Sequence, residues 1–285
     1  MIFSRQLAGP LAAIAVMVAG CTATAVFAAG SNHAALNKPH KPFQVLGNTY
    51  YVGTAGLSSV LIVSDYGSVL IDGGLPESAK QIAANIKSLG FELSGVKAIL
   101  VTDAHAEHAG GIAELQQLTG ANVYAMRASE EALLNGGPPK GDPEYGSKSA
   151  AYPKLSRVWI VQDDQLLGVG NVRLRALATP GDSPGGVSWS WDACDGSKCL
   201  QAVFASSLEI PRSRYLKDHP EVKDSFAASF KRLEAAPCEL LFTAHPEASG
   251  GLDRLEKAAG KDDQLKDANA CKTYVQQARD ALGKQ

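Results

Sequence analysis

The chain has 285 residues, of which 45% are hydrophobic and 20% charged, and its formal net charge at pH 7 is -2. This length is enough to bury one large hydrophobic core or two small ones. Lys and Arg number 27 against 29 for Asp and Glu, and the sequence contains no basic cluster, so nucleic acid is not expected as a partner.

The first thirty residues have the layout of a secretory signal. Arg5 precedes an apolar run of about a dozen residues, after which small residues follow. That run is shorter than the roughly 20 apolar residues of a membrane span, so we expect no membrane span. We predict a signal peptide over residues 1–28, cleaved after Ala28, and a periplasmic or secreted protein. The alternative is cleavage before Cys21 in "VAGC", which would make Cys21 the lipid anchor of a lipoprotein.

After the signal, the sequence predicts short strands and then helices that alternate with strands. Residues 43–75 alternate apolar and polar side chains between Gly-rich turns, which is typical of short antiparallel strands. A helix is predicted over "PESAKQIAANIKSLG", where Ile82, Ile86 and Leu89 recur at helical spacing. A buried strand "VKAILVT", a helix "GGIAELQQLTG", a strand "NVYAM" and a loop rich in Gly and Pro over residues 135–146 come next.

The second half of the chain repeats this order. Strands are predicted at "RVWIV", "VRLRALAT", "GVSWSW", "LQAVFAS" and "ELLFTA", and helices at "VKDSFAASFKRLEAA" and "ANACKTYVQQARDALG". Because the strands come mainly as meanders with helices between them, the economical architecture is two sheets packed face to face with helices outside. The sequence has no Pro- and Ser-rich linker, so we predict a single domain over residues 43–285.

Four cysteines remain after the predicted signal. They are Cys194, Cys199, Cys238 and Cys271. An even number fits an oxidising compartment, and four cysteines allow three pairings. Cys194 and Cys199 flank the turn-rich "DGSK" between two predicted strands, so we predict a bridge across a hairpin. Cys238 would then pair with Cys271 and hold the last helix against the core.

The segment "DAHAEH" contains four potential metal ligands in six residues, directly after a predicted strand. They are Asp103, His105, Glu107 and His108. Asp182 in "ATPGDSPGG" and His245 in "LLFTAHPEASGG" also follow predicted strands. Zinc accepts imidazole and carboxylate donors, so six candidates in three such loops indicate a metal site. The alternative for Asp103 and Asp182 is an N-cap or turn residue, the commoner role of a lone Asp before a helix.

The sequence resembles a metallo-β-lactamase of the third subclass (B3) from about residue 44 to the C-terminus. The resemblance depends on the order and spacing of "YYVGTAGLSSVLIVSDYGSVLIDGGLPESA", "AHAEHAGG", "ATPGDSPGGVSWSW", "CDGSKC", "FASSLEIP" and "CELLFTAHPEASGG". It implies an α+β fold, a four-layer α/β/β/α sandwich of two mixed β-sheets with helices outside and a metal pair at the edge between the sheets. It also implies a hydrolase in which a metal-bound water opens the amide bond of a β-lactam or a related cyclic small molecule.

Three ligand positions differ from the pattern of the family that the sequence resembles. That pattern is His-x-His-x-Asp-His in the first turn and His in the second loop. Here Asp103, Glu107 and Asp182 stand at the first His, the Asp and the second-loop His, respectively, whereas His105, His108 and His245 match. The resemblance thus implies two metal sites. The ligands of one ion would be Asp103, His105 and Asp182, and those of the other would be Glu107, His108 and His245.

These substitutions change the expected metal chemistry. Three carboxylates instead of one would face two divalent ions, and carboxylate donors make a metal-bound water lose its proton less easily. We therefore expect weak or altered activity with one or two zinc ions, and manganese or another divalent ion is the alternative. If one ion binds, Glu107, His108 and His245 are its expected ligands, because Asp103 and Asp182 are shorter than the histidines of the pattern.

The resemblance also implies the residues that contact the substrate. Ser207 matches the serine of this subclass, and we predict Glu107 and Ser207 as the catalytic residues. Where the family offers a hydroxyl to the substrate carboxylate, Glu209 would repel that group, with Arg212 and Arg214 nearby as candidates to compensate. The alternative function is a non-catalytic protein that keeps the fold and a degraded metal site and acts as a binding or envelope protein.

Overall fold

The structure is a computed structural model and describes residues 33–285. The predicted signal peptide at residues 1–28 and the alternative lipid anchor Cys21 lie outside the described residues. The strands are β1 (Phe43–Leu46), β2 (Thr49–Tyr51), β3 (Val60–Ser64), β4 (Gly67–Ile71), β5 (Val96–Leu100), β6 (Asn122–Met126), β7 (Trp159–Val161), β8 (Leu166–Val169), β9 (Val172–Ala178), β10 (Val187–Asp195), β11 (Lys198–Ala205) and β12 (Leu240–Thr243). The α-helices are α1 (His33–Leu36), α2 (Ser78–Ser88), α3 (Ala106–Ala109), α4 (Ile112–Thr119), α5 (Arg127–Asn135), α6 (Ser213–Asp218), α7 (Glu221–Ala235), α8 (Leu252–Ala258), α9 (Asp262–Leu265) and α10 (Ala270–Gly283).

Within residues 33–285, the strands form two mixed sheets. The first has the order β1-β2-β3-β4-β5-β6-β7, in which β1 to β4 are antiparallel and β4 to β7 are parallel. The second has the order β12-β11-β10-β9-β8 and is antiparallel except for the pair β11 and β12. Parallel neighbours need a crossover connection, and α2, α4 and α5 lie in the connections between β4, β5, β6 and β7.

The apolar side chains separate into three clusters that define four layers. Alternate residues of a strand point to opposite faces, so Ile71 packs between the sheets while Leu70 packs against the helices on the outside. Trp189 and Trp191 also pack between the sheets. A third cluster lies between the outer face of the second sheet and the helices α7 and α10. This is the predicted four-layer α/β/β/α sandwich.

Helix α2 shows how the sequence pattern produces a layer. Ile82 and Ile86 are one turn apart and fully buried against the first sheet, as their spacing predicts. The structure also contains α5, α6, α8, α9 and β8, which the sequence patterns did not predict. These elements are short or mostly exposed: α6 buries only Leu216 and α9 only Leu265, so neither produces an apolar periodicity.

Both predicted disulfides are present. Cys194 and Cys199 face each other across the hairpin of β10 and β11, in which they are directly paired residues. The bond from Cys238 to Cys271 connects the residues before β12 to α10. Among residues 33–285, no helix combines the length and the apolar character that crossing a membrane requires.

Candidate metal centre

The candidate ligands come together because several strands end at one edge of the molecule. Strands β9, β11 and β12 run in the same direction in the second sheet, so the loops that follow them leave the same edge. The end of β5 joins this edge, since the carbonyl of Thr102 accepts hydrogen bonds from Val187 N at 2.9 Å and Ser206 Oγ at 3.3 Å. The segments after β5, β9 and β12 contain every candidate ligand, and the segment after β11 contains Ser207 and Glu209.

The two glycines that end "AHAEHAGG" allow the ligand turn to pack closely against the loop after β4. Gly111 N donates to the carbonyl of Gly74 at 3.0 Å, and Gly73 N donates to the carbonyl of His108 at 2.8 Å. A Cβ at position 111 would lie 2.3 Å from the carbonyl oxygen of Gly73, and one at Gly110 would lie 2.5 Å from Cδ of Pro76, which also follows β4. Side chains at either position would therefore push the short helix α3 away from the loop.

Asp103, His105 and Asp182 converge in the structure. Each offers one ligand atom, and these atoms lie within 4.8 Å of one another; no other group of three or more His, Cys, Asp or Glu in residues 33–285 does so. His105 Nδ1 lies 2.8 Å from Asp103 Oδ1 and 3.8 Å from Asp182 Oδ2. The shorter aspartates thus reach a common point with the imidazole.

The donor set of this cluster fits a divalent cation. Asp103 is fully buried, and its Oδ2 has no hydrogen-bond partner among the described residues. A buried carboxylate oxygen without a partner is costly, and a metal ion satisfies it. Two carboxylates and one imidazole are donors that zinc accepts and that harder ions such as manganese accept equally well.

The pKa values of the three groups are shifted by their burial and by one another's charges. Burial would lower the pKa of His105, but the charge of Asp103 and the hydrogen bonds to Asp103 and Asp142 raise it well above its ordinary value. Burial alone would raise the pKa of Asp103, yet the charge and hydrogen bonds of His105 lower it to about 2. Burial raises the pKa of Asp182 well above its ordinary value, and the charges of Asp103 and Glu209 add to this effect. A cation among the three groups would offset the repulsion between the two carboxylates.

Asp142 is a site residue that sequence reasoning missed. Its Oδ2 lies 2.8 Å from His105 Nε2, on the side of the ring opposite Asp103. It belongs to the loop rich in Gly and Pro, 37 positions after His105, and follows no strand. The one local signal is that an Asp in a turn uses its side chain to accept from nearby backbone, as Asp142 Oδ1 does from Glu144 N at 2.8 Å.

His108 is oriented by Asp72. The Nδ1 atom of the fully buried His108 ring lies 2.9 Å from Asp72 Oδ2 and 2.8 Å from Thr102 Oγ1. Asp72 follows β4 at a φ of +56° and also accepts from Thr102 N at 2.8 Å. The opposite ring atom, Nε2, lies 3.1 Å from Ser207 Oγ. Asp72 thus supports the ring from behind and leaves Nε2 for the centre.

Glu107 and His245 are hydrogen-bonded to each other beside the cluster. His245 Nε2 lies 2.9 Å from Glu107 Oε2 and 3.6 Å from Glu209 Oε1. The side chains of Glu107 and His245 are about one fifth exposed, and that of Glu209 is 54% exposed. Glu107, His108 and His245 do not converge as closely as the Asp103 cluster does, so the structure brings one of the two predicted ligand sets together.

Comparison with known proteins identifies the family. The sequence model that describes the metallo-β-lactamase superfamily matches residues 53–245, which are more than half of the chain. The probable metallo-hydrolase YqgX of Bacillus subtilis (strain 168) is 29% identical over 142 residues, which are 48% of this chain and 62% of that protein. The probable metallo-hydrolase YflN of the same organism is 30% identical over 128 residues, 45% of this chain and 47% of that protein. The chain thus spans about half to three fifths of the length of these curated relatives.

Solved structures cover more of the chain. The Rm3 metallo-β-lactamase is 44% identical with a TM-score of 0.82, and the match covers 88% of this chain and 96% of that one. The metallo-β-lactamase SMB-1, solved with mercaptoacetic acid, is 40% identical with a TM-score of 0.83, covering 87% and 97%. A protein described as the first B3 metallo-β-lactamase with an active-site glutamic acid is also 40% identical, with a TM-score of 0.78 and coverage of 87% and 91%. The chain therefore belongs to the metallo-β-lactamase superfamily, and its resemblance to the B3 subclass is confirmed.

Proposed function

We propose that the protein is a secreted metal-dependent hydrolase that opens the amide bond of a β-lactam or a related cyclic small molecule. The observation that carries the proposal is the convergence of Asp103, His105 and Asp182 around a buried carboxylate oxygen without a partner. Several B3 metallo-β-lactamases are similar in sequence and in fold over nearly the whole of the described residues. Two disulfides support an oxidising compartment, and hence the periplasmic or secreted location.

Asp103, His105 and Asp182 would hold one ion, and Glu107, His108 and His245 are the proposed ligands of a second. Zinc is the proposed ion, with manganese as the alternative because carboxylates are numerous. A divalent ion in such a site supplies Lewis acidity, which polarises a carbonyl group and activates water for attack. The two added carboxylates weaken that acidity, so we propose an activity that is weak relative to a site with one carboxylate.

The chain's own residues supply the remaining parts of the reaction. Glu107 Oε2 lies beside the cluster at 2.9 Å from His245 Nε2, where the carboxylate can accept a proton from the attacking water. Ser207 Oγ lies 3.1 Å from His108 Nε2, and with that nitrogen bound to an ion the Ser207 hydroxyl would be free to donate a hydrogen bond to the substrate. The departing nitrogen takes its proton from solvent. Glu209 lies at the exposed side of the site, where it would face and repel a carboxylate that flanks the amide.

The test combines metal content with turnover on the same sample. We expect one or two divalent ions per folded chain after purification in zinc-supplemented buffer, measured by mass spectrometry of the metal, and hydrolysis of nitrocefin that a chelator abolishes. His105→Ala should lose an ion and the turnover. His33→Ala is the matched control, because His33 is exposed on α1, and it should keep both.

Two outcomes would contradict the proposal. Turnover that survives complete removal of the metal would mean that the reaction does not use the centre. Metal binding without turnover on nitrocefin and on other cyclic amides would favour the non-catalytic alternative, a binding or envelope protein that keeps an ion for structure.

A further inference from the structure

The segment between α5 and the 3-10 turn at Lys148–Ala150, which we call the Asp142 loop (residues 136–147), contains the buried carboxylate of Asp142, whose neighbours at positions 140, 141 and 143–146 are exposed. The Asp142 side chain has no exposed surface. Its Oδ1 accepts from Glu144 N at 2.8 Å, and its Oδ2 lies 2.8 Å from His105 Nε2. Both oxygens are thus committed, one to the loop itself and one to the candidate metal centre.

The contact with Asp142 involves Nε2 of His105, so the other ring nitrogen, Nδ1, is directed at the cluster. A carboxylate only accepts hydrogen bonds, so Nε2 carries the proton that it shares with Asp142. The other nitrogen, Nδ1, lies 2.8 Å from Asp103 Oδ1 and 3.8 Å from Asp182 Oδ2, so without an ion it also donates to a carboxylate. An ion held by these aspartates would replace the proton on Nδ1, while Nε2 keeps the proton that it shares with Asp142. A metal ligand needs its lone pair on the metal-facing nitrogen, and an outer carboxylate fixes that tautomer and the direction of the ring.

The same arrangement occurs independently at His108, with the two nitrogens exchanged. There Asp72 lies behind Nδ1 at 2.9 Å and Nε2 faces the centre. Asp72 belongs to the end of β4, in the core of the first sheet, whereas Asp142 belongs to an irregular loop. The two rings therefore differ in what holds them: one depends on the sheet and the other on the loop.

Further hydrogen bonds attach the Asp142 loop and the segment after it to the surroundings of the centre. Tyr215 of α6 donates its hydroxyl to the carbonyl of Gly141, directly before Asp142. Tyr152 donates its hydroxyl at 2.6 Å to the carbonyl of Ala104, between the ligands Asp103 and His105. The orientation of His105 and the conformation of the loop thus depend on each other.

We propose that Asp142 is a positioning residue of the metal centre: it fixes the His105 ring for metal binding and makes the order of the Asp142 loop depend on metal occupancy. This inference rests on the proposed metal site and is independent of the proposed substrate. Because coupling between two sites is reciprocal, metal should order the loop as much as the loop favours the metal.

The first experiment measures zinc affinity by competition with a chromogenic chelator at fixed pH. We expect Asp142→Ala to weaken the binding of one ion by about 10- to 100-fold, the usual effect of losing an outer partner of a metal-bound histidine. Asp142→Asn keeps an acceptor oxygen without the charge, so it should weaken binding less than Ala does. Glu144→Gln is the matched control, since it removes an exposed carboxylate of the same loop and should leave the affinity unchanged.

The second experiment measures hydrogen exchange of residues 136–147 with and without zinc. In the wild-type protein, zinc should slow exchange in this loop. In Asp142→Ala at saturating zinc, exchange in the loop should be as fast as in the metal-free protein. A residue that only stabilised the loop would change the exchange rates equally with and without zinc, and would not change the affinity.

Several results would overturn the inference. Equal zinc affinity of the wild type and Asp142→Ala would refute the role of Asp142 and leave the proposed metal site standing, and an equal loss in Glu144→Gln would reduce the effect to loop charge. If circular dichroism shows that the Ala variant is unfolded, the Asn variant decides alone, and an unchanged affinity there refutes the proposal. A wild-type protein that binds no ion would refute the metal site and this inference together.

Discussion

Glu209 gives the open side of the centre a negative charge. Its carboxylate lies 3.6 Å from His245 Nε2, which already pairs with Glu107 at 2.9 Å. One imidazole thus faces two carboxylates. Asp182 lies in the same region, and burial, together with the charges of Asp103 and Glu209, raises its pKa well above the ordinary value. No ion pair connects Arg212 or Arg214 to these groups in the described residues. A substrate with its own carboxylate therefore approaches an unfavourable potential.

We expect Glu209→Gln to raise kcat/KM for nitrocefin, which carries a carboxylate, by about fivefold. This factor corresponds to ~1 kcal/mol, the interaction energy of two unit charges about 4 Å apart in water. Water is the appropriate medium because the Glu209 side chain is half exposed. A cephalosporin with a quaternary ammonium group is the control substrate and should gain less. If the ratio of kcat/KM for nitrocefin to kcat/KM for the control cephalosporin is the same in Glu209→Gln as in the wild type, Glu209 does not face the substrate.

The buried pair of His108 and Asp72 predicts a pH dependence of the metal-free protein. Burial would lower the pKa of His108, but the hydrogen bond and charge of Asp72 outweigh it and raise the pKa from 6.5 to about 9. The folded state therefore binds this proton more tightly than the unfolded chain does. Its stabilisation is complete below about pH 6.5 and is lost as the pH rises through about 9.

The free energy of unfolding in chelator should thus fall between pH 6.5 and pH 9.5, as urea titrations would measure. His105 acts in the same direction, because its pKa is raised as well. Asp72→Asn should flatten the profile, and Asn tolerates the positive φ of position 72. A stability that increases over this pH range would contradict the assigned pair.

The sequence indicated the candidate ligands that follow strands, and it could not predict which residues hold them in place. Asp103, His105 and Asp182 were found because each comes after an apolar run, and the ends of such strands meet at an edge. Asp142 has no such context, since its contact to His105 depends on how a loop without periodicity folds back over the site. We expected the short side chains of Asp103 and Asp182 to disfavour the metal site that they share with His105. The loops compensate for this shortness, because they bring the ligand atoms of all three residues within 4.8 Å of one another.

At the scale of elements, the centre depends on how α3 fits against the loop after β4. The helix has four residues, too few to be stable alone, so its position comes from backbone contacts to Gly73 and Gly74. Longer elements such as α2 and β5 were predictable because apolar periodicity specifies them. Short ones such as α6 and α9 were not, because one buried residue each leaves no pattern.

We expect Gly111→Ala to destabilise the protein by about 1–3 kcal/mol, the usual cost of overpacking a tight contact. The added Cβ would lie 2.3 Å from the carbonyl oxygen of Gly73, which is backbone and cannot rotate away. Gly95→Ala is the matched control, because a Cβ there meets nothing within 4 Å, and its effect should stay within about 0.5 kcal/mol. Urea unfolding measures both, and equal effects would contradict the argument from close packing.

At the scale of the whole molecule, the site lies where two sheets meet, so its geometry depends on how they are held together. The core between the sheets does most of this, with large buried side chains such as Trp189 and Phe204 facing the first sheet. The two-sheet architecture could be inferred from the order of strands and helices. The pairing of β11 with β12 in parallel could not, because it joins segments far apart in the sequence.

The two disulfides should contribute differently to the stability of this assembly. Cys238 and Cys271 are 33 positions apart and connect the layer of β12 to α10, whereas Cys194 and Cys199 are 5 apart and close a hairpin that β10 and β11 already pair. A crosslink that closes a longer loop restricts the unfolded chain more and so stabilises the folded protein more. The expected stabilisation is about 4 kcal/mol for the bond from Cys238 to Cys271 and about 2 kcal/mol for the bond from Cys194 to Cys199. Urea unfolding of the double variants Cys238→Ser/Cys271→Ser and Cys194→Ser/Cys199→Ser should give losses in this order. A larger loss in the Cys194→Ser/Cys199→Ser variant would contradict this prediction. It would mean that the hairpin bond stabilises the folded sheet directly, because restriction of the unfolded chain could not explain a larger effect of the shorter loop.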